Sequence, residues 1–127
     1  MIYGIGTDVI VIARIAGALD RFGERFAERI LCEPELRRFR GHGKPAAYLA
    51  KRFAAKEAFT KALGTGIRAP ANWHGVWVSN LASGKPVLEF SAPLSDLLRA
   101  RRVTSSHVSL SDERDVAFAT VILECES

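Results

Sequence analysis

The chain has 127 residues, 48% of them hydrophobic, and a mean hydropathy of +0.06, enough for one modest core and read as a single domain over 1–127 without linker or repeat. Its longest apolar stretches, 116–123 and 9–12, fall well short of the ~20 residues a membrane span needs. The first residues lack a basic-then-apolar signal pattern, so a cytoplasmic protein without membrane contact is expected. Lys and Arg outnumber Asp and Glu by 18 to 14, and a pI of about 9.4 implies affinity for anions. Cys32 and Cys125 lie in unrelated contexts without CxxC spacing, which argues against a zinc site or a disulfide framework and for two free thiols.

Residues 2–10 alternate and are rich in β-branched side chains, as in a strand. On it Gly4, Gly6 and Asp8 share one face, so the carboxylate ends a lane cleared of side chains that something bulky can approach. From Ile12 the spacing changes: Ile15, Leu19, Phe22, Phe26 and Ile30 recur every three or four residues, predicting an amphipathic helix. Its other side carries Arg14, Arg21, Arg25 and Arg29, while Gly17 and Gly23 weaken it as one unbroken rod. Glu33 and Pro34 open a second helix that stops by Gly41-His42-Gly43, and 46–63 is a third. Strands follow at Val76 to Ser79 and Val87 to Phe90, flanking a loop with Ser83-Gly84-Lys85-Pro86. A short helix opens near Ser91 and Pro93, and Ser106 to Leu110 pairs with Val116 to Leu123. The pattern predicts an α+β domain in which an antiparallel sheet packs against a long helix, with shorter helices added.

The chemistry centres on two carboxylates. Glu57 is the single acid of Lys51-Arg52-Phe53-Ala54-Ala55-Lys56-Glu57-Ala58, a helix that runs into Gly64-Thr65-Gly66, a helix stop that exposes backbone. With Asp8, and with cations and glycines nearby, it suggests Mg²⁺ and a phosphorylated substrate. The plainer alternatives are that Asp8 caps the following helix and that Glu57 and Lys61 form a surface pair worth a few tenths of a kcal/mol. Lys56 projects near the stripe of Leu49, Phe53, Thr60 and Leu63, where a cation wants an anion. His107, Ser109 and Ser111 share a strand face opposite Val108 and Leu110, and such a histidine is either structural or catalytic. The arginine stripe is either a solvated face or a landing strip for an acidic partner, since Asp20, Glu24 and Glu28 lie mostly off it. A small nucleic-acid-binding module would interleave aromatic and basic residues on a sheet, and these strands do not. A Mg²⁺-dependent nucleotide hydrolase would need the same carboxylates and loops but no protein partner.

Taken in order, Gly4-Ile5-Gly6-Thr7-Asp8-Val9-Ile10, Arg52-Phe53-Ala54-Ala55-Lys56-Glu57-Ala58, Gly64-Thr65-Gly66-Ile67, Gly84-Lys85-Pro86 and His107-Val108-Ser109-Leu110-Ser111 resemble the holo-acyl-carrier-protein synthase family of small bacterial 4′-phosphopantetheinyl transferases, over essentially the whole chain. One departure is Val11, where the family often has an acid. The resemblance implies the 4′-phosphopantetheinyl transferase fold and Mg²⁺-dependent transfer of 4′-phosphopantetheine from coenzyme A to a serine of apo acyl carrier protein. It implies Asp8 and Glu57 as metal ligands, with Lys61 steadying phosphate charge as a third catalytic residue. Gly64, Thr65 and Gly66 would offer backbone N–H groups to the coenzyme; Gly84, Lys85 and Pro86 would meet its nucleotide end, with Arg52 and His107 near phosphates. It further implies a homotrimer with active sites between subunits, and an acidic carrier met by Arg14, Arg21 and Arg25.

Overall fold

In the computed structural model, which describes residues 1–127, strand β1 (Ile2–Val11) passes directly into helix α1 (Ile12–Phe22). The chain continues through α2 (Glu24–Ile30), α3 (Glu33–Arg40), α4 (Pro45–Leu63), β2 (Val76–Asn80), β3 (Pro86–Phe90), α5 (Ala92–Ala100), β4 (Val103–Asp112) and β5 (Val116–Cys125). Each predicted element is present, with two differences. The helical stretch over 12–30, which Gly17 and Gly23 weakened as one rod, is divided into α1 and α2 at Gly23 alone, whose φ of 68° is easy for glycine and incompatible with a continuous helix. The single sheet expected is two: an antiparallel β1-β5-β4 sheet and a separate β2-β3 hairpin. Alternation marks which residues are strands but not which strands share a ladder. Here the chain leaves β3 through α5, whose Leu94 and Leu98 are buried in the core, before entering β4.

Helix α4 starts on Pro45, and it ends at Gly64, left-handed at φ 88°. It is buried on most of its circumference, with Leu49, Ala50, Ala54, Ala55, Ala58, Phe59, Ala62 and Leu63 in the core, so it is a central helix rather than one lying on the surface. Its small residues lie against the inner face of the three-stranded sheet, where Ile10, Ala117, Ala119, Val121 and Leu123 point. The lane of Gly4 and Gly6 exists for this contact: a Cβ on Gly4 would stand 2.0 Å from the Ala62 carbonyl oxygen, and one on Gly6 2.0 Å from that of Ala58. What approaches along the lane is therefore the α4 backbone itself, not a ligand.

The cation expected to need an anion has one. Lys56 is fully buried, and its Nζ donates to Glu35 Oε1 at 2.7 Å, to the Ile30 carbonyl at 2.6 Å and to the Trp73 carbonyl at 2.7 Å. Glu35 Oε1 also accepts the Cys32 N–H at the start of α3, and Oε2 accepts the Val78 N–H of β2. One buried ion pair thus joins α2, α3, α4 and the hairpin, with its hydrogen bonds supplied on both sides.

Candidate active site

The close approach of β1 to α4 assembles the acid pair. Ala58 and Ala62 face the glycines, so Glu57 and Lys61, each one residue earlier on α4, flank the contact, and Asp8 lies two residues beyond Gly6 on the same strand face. Lys61 Nζ lies 3.1 Å from Asp8 Oδ1 and 3.0 Å from the Thr7 carbonyl oxygen. The surface Glu57–Lys61 pair is not what forms: Lys61 reaches across to the strand. Nor is Asp8 a cap, because α1 begins on Val11 without a side-chain cap.

Glu57 is left without a cationic partner of its own. Partial burial raises its carboxyl pKa from the ordinary value, the negative charge of Asp8 raises it further, and Lys61 opposes both. Two carboxylates converging on one ammonium are under-compensated. No third His, Cys, Asp or Glu completes a metal cage. The donor set fits Mg²⁺, which takes one or two protein carboxylates and shares the rest of its shell with waters and phosphate oxygens.

Beyond α4, Gly64-Thr65-Gly66 is a backbone-rich turn, with Gly66 also at positive φ. The N–H groups of Gly64 and Thr65 both donate to the Thr60 carbonyl, closing the helix end. This corrects the expectation that all three N–H groups face a ligand: in this geometry two of them cap α4. Sequence reading passed over Arg101, whose Nη1 donates to the Leu63 carbonyl at 3.1 Å and to the Tyr3 hydroxyl at 3.2 Å, tying this turn to β1.

The remaining candidates form two further groups, apart from the acid pair within one chain. Arg52 is 6% exposed, with its guanidinium 4.2 Å from the centre of the Tyr48 ring; burial lowers its pKa, opposed by Tyr48 and Glu35. It meets the β2–β3 turn through Asn80, so Arg52 and Gly84, Lys85 and Pro86 belong together. His107 lies on the outer face of β4, opposite the face that carries Asp8, and its Nε2 is 2.6 Å from Glu124 Oε1. Glu124 also accepts the Ser105 hydroxyl, and its carboxyl pKa is lowered, first by the His107 hydrogen bond and then by Ser105. Only the β4–β5 register could have revealed this partner.

On the helical side Arg21, Arg25 and Arg29 border an open hollow with Phe22 and Phe26, the guanidinium of Arg21 lying 5.2 Å from the centre of the Phe22 ring. Phe22 is 56% exposed, an apolar patch rimmed by cations that the helix periodicity had placed on the buried stripe. Arg14 stands outside the hollow, seven residues before Arg21 and so on the same side of α1.

The profile of the 4′-phosphopantetheinyl transferase superfamily matches residues 4–121. The holo-[acyl-carrier-protein] synthase of Nitrosomonas eutropha is 50% identical over 98% of this chain and 99% of its own. The crystal structure of holo-[acyl-carrier-protein] synthase from Neisseria meningitidis superposes with a TM-score of 0.94 at 46% identity, covering 98% of this chain and 99% of that one. That of the Bacillus anthracis holo-(acyl-carrier-protein) synthase in complex with CoA (3′,5′-ADP) gives 0.83 at 38% identity, covering 99% of both.

Proposed function

The chain belongs to the 4′-phosphopantetheinyl transferase superfamily, and from that membership and the acid pair we propose that it transfers 4′-phosphopantetheine from coenzyme A to a serine hydroxyl of apo acyl carrier protein. The serine oxygen bonds to the phosphorus that bears the pantetheine, its proton passing to a base for which Glu57, directly or through water, is the candidate; the bond from that phosphorus to the bridging pyrophosphate oxygen breaks, and adenosine 3′,5′-bisphosphate leaves. The observation that carries the reading is the convergence of Asp8, Glu57 and Lys61 where β1 crosses α4. Phosphoryl transfer asks a protein for positioning and charge compensation more than for covalent chemistry.

Asp8 and Glu57 would hold Mg²⁺, which when bound offsets the negative charge of the pyrophosphate. Lys61, 53% exposed and anchored on Asp8 and the Thr7 carbonyl, can turn its ammonium toward a phosphate at the same place. Lys85 with the Gly84–Pro86 turn and Arg52 would meet the nucleotide end, and His107 a phosphate.

His107 lies on the face of the sheet opposite Asp8, so one chain does not put it beside the acid pair, which supports a homotrimer with sites completed by neighbours. The outer face of the three-stranded sheet fits such an assembly: Ile5 and Val9 are 61% and 60% exposed there, in rows with Ile122 and His107 and with Phe118 and Ser111. No helix is long and apolar enough to cross a membrane. A cytoplasmic location follows from the proposed substrates, coenzyme A and a carrier protein, rather than from that fact.

Incubating the protein with coenzyme A, Mg²⁺ and an apo acyl carrier protein should add one phosphopantetheine to the carrier, read by intact-protein mass spectrometry. A nucleotide hydrolase would consume coenzyme A and leave the carrier mass unchanged, and a nucleic-acid-binding module would do neither.

The carrier's docking place is the arginine side of α1 and α2. Reversing charge at Arg14 and Arg21 together should raise KM for the carrier by about tenfold or more and flatten its salt dependence, with KM for coenzyme A little changed. Equal losses toward both substrates would remove this surface from the docking role.

A further inference from the structure

The hairpin turn that bears Lys85 is held to the body of the protein by a single amide. Asn80, the last residue of β2, pairs across the ladder with Pro86. Its Oδ1 accepts from Arg38 Nη1 of α3 at 2.6 Å and from Arg52 Nη2 of α4 at 3.4 Å, and its Nδ2 donates to the Gly84 carbonyl at 3.0 Å. The orientation of the amide is fixed by chemistry, since both arginines can only donate and the carbonyl can only accept. Inside the turn the Leu81 N–H donates to the Lys85 carbonyl and the Gly84 N–H to the Leu81 carbonyl, with Gly84 at φ 94°. The tip is closed by its own backbone hydrogen bonds, and Asn80 ties it to α3 and α4.

The choice of a neutral residue between two guanidinium groups is informative. Arg52 is almost wholly buried, its side-chain acceptor is this amide rather than a carboxylate, and its Nε is buried with no hydrogen-bond partner. The buried acid whose field reaches it, Glu35, is engaged by Lys56 and by two backbone N–H groups. An aspartate at position 80 would satisfy both arginines more strongly, but its single negative charge would offset one of their two positive charges. Asparagine orients Arg38 and Arg52, fixes the turn and leaves the positive potential uncompensated beside Lys85.

The geometry points to Asn80 as a positioning residue for coenzyme A: its amide holds the Lys85 turn and the Arg38–Arg52 pair in one arrangement and keeps their charge available to the anionic end of the coenzyme. This rests on the reading that the Gly84–Pro86 turn meets that end. The test is steady-state kinetics and thermal unfolding of Asn80→Asp, Asn80→Ala and Lys85→Ala in the full chain, with coenzyme A, Mg²⁺ and apo carrier. Asn80→Asp keeps an acceptor for both arginines but loses the donor to Gly84 and offsets one of the pair's two positive charges. It should raise KM for coenzyme A by about tenfold, lower kcat much less, and leave KM for the carrier and the unfolding midpoint nearly unchanged. Asn80→Ala should raise the same KM and also lower the midpoint. If Lys85→Ala raises KM for coenzyme A while Asn80→Asp does not, Asn80 is merely structural and this inference fails alone. If Lys85→Ala leaves that KM unchanged, the placement of the nucleotide end fails and the inference falls with it. A parallel rise in both KM values for Asn80→Asp would likewise overturn it.

Discussion

Glu57→Gln is expected to yield a protein that melts at a higher temperature than the wild type in metal-free buffer at neutral pH and that has lost phosphopantetheine transfer by roughly 10³-fold or more, because in the proposed mechanism several kcal/mol of charge compensation on the pyrophosphate would depend on its carboxylate. The two halves have one cause. Burial and the neighbouring Asp8 raise the Glu57 pKa in the folded state above its unfolded value. Between those two values the folded state binds more protons than the unfolded state, so stability falls as pH rises through the window and stays reduced above it. Removing the charge with an isosteric amide restores that loss, as is common where a site is built for function rather than stability. Saturating Mg²⁺ should raise the melting temperature of the wild type and leave that of Glu57→Gln almost unmoved. Melting curves at pH 5 and pH 8, with and without Mg²⁺, check this. The stability gain of the variant should be largest at pH 8. A variant that melts lower than the wild type at both pH values would mean that Glu57 stabilises the fold as an ordinary ion-pair partner, and retained transfer at saturating Mg²⁺ would remove it as a metal ligand. Asp8→Ala should lose transfer to a similar degree, but it also frees Lys61 from its 3.1 Å contact, so it carries no matching expectation of higher stability.

What the sequence disclosed and what it hid divide by range. The period-two run of β1, the Pro34 start and the Gly64 stop are local, so they could be read from a few consecutive residues. Asp8 and Glu57 were readable as unusual acids, yet their meeting depends on the glycine lane accepting α4, which sequence spacing left open to a ligand. The Arg52 and His107 assignments came from resemblance, and the structure puts each with a partner that no local pattern could name, Asn80 at 28 residues' separation and Glu124 at 17. The division into two sheets was hidden for the same reason: strand identity is local, whereas strand pairing is a property of the whole chain.

Lys56 and Glu57 are adjacent in the chain and opposite in consequence, and mutation should separate them. Lys56→Ala is expected to destabilise the protein by about 3–5 kcal/mol, because it strands the Glu35 carboxylate in the core and also removes the donor to the carbonyls of Ile30 and Trp73. Glu35→Gln should be costly too, leaving a buried ammonium with carbonyl partners only. The double variant Lys56→Met with Glu35→Gln should lose clearly less than the sum of Lys56→Met and Glu35→Gln. No uncompensated charge remains in it, and the side-chain amide oxygen introduced at position 35 can still accept a backbone N–H from Cys32 or Val78. Urea unfolding of this cycle measures the coupling. Below its melting temperature Lys56→Met should nevertheless keep most of its kcat, because the Lys56 side chain serves the junction of α2, α3 and the hairpin while Glu57 and Lys61 face β1. Additive losses across the cycle would show that the pair acts as two independent packing residues. A loss of kcat as deep as that expected for Glu57→Gln, in a fully folded Lys56→Met protein, would place the ammonium in the chemistry after all.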